Sequence, residues 1–65
     1  MSIADRMIHL RAKHKLSQRD LGKLMHFSYS RIWQIESGKY KMRKTTEILL
    51  NEQIDELEAK LNEKV

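Results

Sequence analysis

Residues 17–39 of this 65-residue chain read SQRDLGKLMHFSYSRIWQIESGK, and this stretch decides the fold. Ser17 is a good helix N-cap, and Asp20 lies three residues on, where its carboxylate can return the hydrogen bond in a capping box. Leu21, Leu24 and Met25 then recur at helical spacing and give the helix an apolar face. Ser28 can cap a second helix whose inward residues are Ile32 and Ile35, with Gly38 at the position that ends it. Phe27 falls between the two helices and fills their angle. At 100° per residue, the arc opposite Ile32 and Ile35 holds Ser30, Trp33, Gln34 and Ser37, with Tyr29 and Arg31 on its flanks. Two short helices, a tight turn and a polar outer arc on the second helix are the pattern of a helix-turn-helix.

Outward from this stretch, Ser2 can cap a first helix over about Ile3–His14, whose apolar stripe is Ile3, Met7 and Leu10. The second and third helices are expected over about Gln18–Met25 and Tyr29–Ser37, and a basic segment, KYKMRK at 39–44, leads to a last helix from near Thr45 to the C-terminus. Residues 1–44 form the expected helix-turn-helix domain, and residues 45–65 a C-terminal helix. In that helix Leu50, Ile54, Leu57 and Leu61 recur at intervals of 4, 3 and 4, a seam of about two heptads. The seam either pairs with a second copy or folds back on its own domain. Dimerisation is the favoured alternative, because a straight helix carries Leu57 and Leu61 far out. Ile48 and Leu49 fall off the seam and are expected to dock the helix base onto the domain.

Charge is unevenly placed. Residues 1–46 carry eleven basic and three acidic side chains, a net of +8, and residues 47–65 carry two basic and six acidic, a net of −4. A basic module followed by an acidic helix suggests that the first meets phosphate and the second faces solvent or protein. There is no cysteine, so neither a disulfide framework nor a cysteine-based metal site is available. No apolar run approaches a membrane span and no signal-peptide pattern opens the chain, so a cytoplasmic location without membrane partners is expected. His9, His14 and His26 lack metal-ligand spacing and are read as satisfied or solvated. Without a phosphate-cradling glycine loop or a nucleophile–base pair, no enzyme and no cofactor are expected.

The segments LRAKHKLSQRDLGKL and FSYSRIWQIESGK resemble the Cro/cI-type (XRE-like) helix-turn-helix family of phage and bacterial regulators. The resemblance covers about residues 3–44 and rests on Leu16-Ser17-Gln18, Leu21, Ser28, and Ile32, Ile35, Glu36, Gly38 and Lys39 at their spacing. It implies an all-α, lambda-repressor-like domain that docks as a homodimer on palindromic double-stranded DNA. It also implies that Gln18 contacts phosphate and buttresses the reading helix, and that Glu36 pairs with Arg11 as a structural ion pair. The chain departs from the family pattern at Lys15 and His26, where glycine is common. Gly22 stands where alanine is usual, at a helix-propensity cost of ~1 kcal/mol. The absence of proline leaves the C-terminal architecture unlike the family's.

Within the outer arc, Gln34 is the first candidate base reader, since its amide can pair with adenine N6 and N7. Ser30 is short enough for a base edge or a phosphate, and Tyr29 and Arg31 can contact either. The backbone candidates are Gln18, Arg19, Ser28, Trp33, Lys39, Lys41 and Arg43, with Trp33 also able to shield core beside Ile32. Tyr40 is read mainly as a lid on the core. The expected function is a small dimeric repressor that reads a palindromic operator. The alternative is an interaction protein, antirepressor or antitoxin-like, whose acidic C-terminal helix engages a protein partner.

Overall fold

A computed structural model describes residues 1–63, and the expected helical run through Lys64 and Val65 lies outside the described residues. The chain folds into four helices: α1 (Ile3–His14), α2 (Gln18–Met25), α3 (Tyr29–Glu36) and α4 (Lys44–Asn62). The protein is all-helical, with no strand among the described residues. No described helix is long and apolar enough to cross a membrane.

Local chemistry sets the helix ends. Ser2, Ser17 and Ser28 each accept a hydrogen bond from the backbone N–H three residues on, in α1, α2 and α3. The Ser17–Asp20 capping box is complete, and its backbone hydrogen bond holds the Asp20 carboxyl below the usual carboxylate range. α1 and α2 end on Lys15 (φ 55°) and His26 (φ 62°), both left-handed without being glycine. That conformation carries a cost of roughly 1–2 kcal/mol each. Gly38 takes φ 78° just past α3 at no such cost.

Gly22 is buried for a different reason. A Cβ there would stand 2.6 Å from the Phe27 carbonyl oxygen, where the turn folds back over α2. The backbone amides of His26 and Phe27 both donate to the Gly22 carbonyl, which draws the turn in. The expectation that Gly22 only weakens α2 is therefore incomplete: alanine would gain helix propensity and lose the close approach.

One core joins all four helices. Ile3, Met7 and Leu10 of α1 meet Leu21 and Met25 of α2, Ile32 and Ile35 of α3, and Leu50, Ile54 and Leu57 of α4. Phe27, Tyr40, Met42 and Leu61 pack on its margin. Leu24, expected on the inner face of α2, is 38% exposed.

The α4 expectations are corrected at two points. Leu50, Ile54 and Leu57 do not form an intermolecular seam: all three are buried in the chain's own core, Ile54 completely, and Leu61 packs at its edge. Residues 45–63 are thus part of the same core as α1 to α3 and not a separate unit. The reason is supply, since two eight-residue helices cannot cover the stripe of α1, and a small domain must use every apolar face it has. Ile48 and Leu49, expected to dock the helix base, point the other way and are 51% and 64% exposed.

Polar contacts lock α4 in this pose. Arg6 of α1 donates to Asn51 Oδ1 (2.8 Å), Asp55 Oδ1 (2.6 Å) and Glu58 Oε1 (3.3 Å), three residues on one side of α4. The Asp55 hydrogen bond is the main reason that the guanidinium pKa is raised. Gln53 Nε2 donates to the Met25 carbonyl (3.0 Å), an acceptor that the end of α2 leaves open. His9 Nδ1 is bonded to the Asp5 carbonyl (2.7 Å). His14 departs from expectation, because its Nε2 is buried with no hydrogen-bond partner among the described residues.

Two substitutions test this packing by urea denaturation. Gly22→Ala is expected to destabilise by about 1–3 kcal/mol, the cost of overpacking, where propensity alone predicts a gain of ~1 kcal/mol. Ile54→Ala is expected to cost about 2–5 kcal/mol and Leu49→Ala less than about 0.5 kcal/mol. Equal costs at the two positions would contradict the orientation of α4.

Candidate nucleic-acid interface

The outer surface of α3 is positioned from beneath by one carboxylate. Glu36 has a side chain only 6% exposed, and it receives Arg11 in a bidentate pair, Nε to Oε2 at 2.8 Å and Nη2 to Oε1 at 2.6 Å. Gln18, at the first turn of α2, donates its Nε2 to the same Oε1 at 3.2 Å. Arg11 also donates to the Leu16 carbonyl at 3.3 Å, which ties the α1–α2 connection into the cluster. The hydrogen bond to Glu36 is the main cause of the raised Arg11 pKa. Three helices thus converge on Glu36, and with Ile32 and Ile35 buried, α3 has one rotational setting.

In that setting Tyr29, Ser30, Arg31, Trp33, Gln34 and Ser37 are all exposed. Ser30, Trp33, Gln34 and Ser37 form the outermost strip, as expected from the 100° spacing. The two flanks diverge. Tyr29 leans towards α2, where the Arg19 guanidinium lies 5.6 Å from its ring centre. Arg31 leans the opposite way, over the Phe27 ring (5.5 Å) and the Tyr40 ring (5.6 Å). That places Arg31 at the edge of the strip nearer α4.

Trp33 is 43% exposed, and Lys39 Nζ stands 4.8 Å from its ring centre. The ring forms part of the outer surface and carries a cation over it. Tyr40 is half-buried against the core, beneath Arg31. Such cation–ring pairs contribute about 0.5–1 kcal/mol at exposed sites, enough to bias side-chain position without fixing it.

The backbone candidates divide into two groups. Ser28 is engaged as the α3 cap, and the Gln18 side chain turns inward to Glu36. Arg19, Lys39, Lys41 and Arg43 are exposed, and Arg43 also occupies the N-cap of α4. The backbone amides of Gln18 and Arg19, in the first turn of α2, lack intrahelical acceptors and carry the positive end of the helix dipole. The surface around α3 therefore combines hydrogen-bonding side chains, the Tyr29 and Trp33 rings, and the cations Arg19, Arg31 and Lys39.

Sequence reading missed two features here. The pairing of cations with Tyr29, Trp33 and Tyr40 needs the tertiary fold, apart from the nearness of Lys39 to Trp33 in the chain. The Arg6 latch had a readable signal, since Asn51, Asp55 and Glu58 share one side of α4 at spacings of four and three.

No family model, curated protein or solved structure matches this chain.

The Glu36 cluster yields a stability prediction. Arg11→Met strands a buried carboxylate and is expected to cost about 3 kcal/mol, whereas Arg11→Met with Glu36→Leu should return to within about 1 kcal/mol of the parent. Thermal and urea melts of the three chains check it. A double variant as unstable as the single one would mean that the pair contributes net stability.

Proposed function

We propose that the protein is a sequence-specific duplex DNA-binding regulator in which α2 and α3 act as a helix-turn-helix. The observation that carries this reading is the outer strip of α3. It is polar, exposed and set by the Glu36 cluster, with Arg19 beside the Tyr29 ring and Lys39 beside the Trp33 ring, and exposed Lys41 and Arg43 follow in the connector to α4. An α-helix fits the major groove of B-DNA, and side chains at its leading end reach base edges. Gln34 and Ser30 read bases, with Tyr29 and Arg31 at either side of the contact. Arg19, Lys39, Lys41, Arg43 and the first amides of α2 hold phosphates, and Trp33 lies against a sugar-phosphate strand. Gln18 acts chiefly as the buttress of α3.

The resemblance of residues 3–44 to the Cro/cI-type regulators supports the same reading. In that family's symmetric mode, two copies occupy half-sites about one helical turn, ~34 Å, apart. Repression by occluding polymerase is the simplest regulatory output of such binding.

Titration of a selected duplex across salt concentrations, followed by fluorescence anisotropy, tests the proposal. Four phosphate-bound cations per copy predict a log–log slope of about −3 to −4 on a duplex carrying one half-site, and Lys41→Ala should reduce it by about 1. Gln34→Ala should lose about 1–3 kcal/mol of discrimination at one position while weakening other sequences little. Flat, weak binding at every salt concentration would instead favour the interaction-protein reading.

A further inference from the structure

We infer that the cleft between α3, Tyr40 and α4 binds a small carboxylic acid with an apolar body, and that this ligand competes with DNA for Arg31. The competition rests on the DNA reading; the site itself does not.

The open cleft has a volume of about 300 Å³, at the small end of the range of roughly 300–1,000 Å³ for ligand sites. Phe27 and Tyr40 line it with rings, and Ile35, Leu49 and Leu50 with aliphatic side chains. Leu49 is 64% exposed, so a bound hydrocarbon would remove a large apolar side chain from water. Thr46 and Gln53 are the uncharged polar residues of the lining. Gln53 is held in place by its bond to the Met25 carbonyl.

Arg31 is the one charged residue in this lining, and no carboxylate faces it there. Arg6 and Arg11 are ion-paired, whereas Arg31 has no acidic partner among the described residues. Its guanidinium is held over the Phe27 ring (5.5 Å) and the Tyr40 ring (5.6 Å). Contact with ring faces uses the charge and not the fork of N–H donors, which stays available to a planar acceptor with two oxygens.

Charge selects the occupant. A cationic ligand is repelled by Arg31, which already holds the ring faces. A neutral apolar ligand would cover the guanidinium and leave its donors unpaired, at a cost in free energy. A carboxylate satisfies both demands, with its oxygens on the guanidinium fork and its hydrocarbon body against Leu49, Leu50 and Tyr40. Arg31 also flanks the outer strip of α3, so a carboxylate there neutralises a charge that DNA would otherwise meet. Ligand and duplex then weaken each other's binding by the same factor.

The probe that tests this is 3-phenylpropanoate, with 3-phenylpropanamide as its uncharged counterpart. Each is titrated into the full chain without DNA and followed by proton–nitrogen correlation NMR. Saturable shifts centred on Phe27, Arg31, Tyr40 and Leu49 are expected, with a Kd of about 1 mM or below. The amide should bind about tenfold more weakly. Leu49→Asp, at an exposed position, should keep the helical circular dichroism and weaken the acid by about tenfold through like-charge repulsion. Arg31→Met should erase the preference for the acid. The site is overturned by no saturable shift, by shifts scattered over other basic residues, or by equal binding of acid and amide. At constant ionic strength, saturating 3-phenylpropanoate should lower affinity for a selected duplex by about fivefold in the parent and little in Leu49→Asp. Unchanged duplex affinity overturns the competition. A chain that binds the probe but no duplex at any salt concentration overturns the DNA reading, and the competition with it, while the site stands.

Discussion

The arrangement depends on a single buried carboxylate. Glu36 lies at the inner end of α3, and α1 and α2 each send one donor to it, Arg11 and Gln18. An ion pair of this kind adds little net stability over a well-packed apolar alternative, because both charges leave water. Its effect here is geometric. A core of short aliphatic side chains tolerates small rotations of an eight-residue helix, whereas a bidentate pair does not. The outer strip of α3 inherits its orientation from that contact.

The second constraint is the thinness of the core. Among the described residues, ten buried apolar side chains hold four helices together, so the longest apolar stripe of α4 is drawn into the core. This explains why the Leu50–Ile54–Leu57 side of α4 turns onto α1. Burying a large aliphatic side chain contributes about 1.5–3 kcal/mol, against a total stability of roughly 3–10 kcal/mol for a chain of this size. Arg6 then reaches across from α1 to the acidic flank of α4, so part of the negative charge in the C-terminal helix is spent on intramolecular pairing.

Close approach at the turn connects these constraints. Gly22 lets the Phe27 carbonyl come within a distance that no side chain would permit, and Phe27 then packs at the core margin beneath Arg31. The Arg31 guanidinium bridges the Phe27 and Tyr40 rings and links the start of α3 to the loop before α4. Arg31 therefore belongs both to the outer surface of α3 and to the wall of the cleft beside Tyr40.

The helices, their caps and the outward arc of α3 were legible in the chain because they follow from local rules. Ser17 and Asp20 cap through bonds three residues apart, Gly38 relieves a left-handed turn, and a 100° step decides which residues oppose Ile32 and Ile35. The fate of α4 was not local. Its periodicity marks an apolar side but not what covers it, and the same heptad spacing serves a partner helix or the chain's own α1 equally well. Only the folded core decided, because α1 had an uncovered stripe and Arg6 stood beside it. Gly22 was ambiguous for a similar reason: helix propensity is a property of the segment, whereas the 2.6 Å approach belongs to the turn folded over it. The cation–ring pairs, the buried Nε2 of His14 and the exposure of Ile48 and Leu49 likewise arise only when distant segments meet.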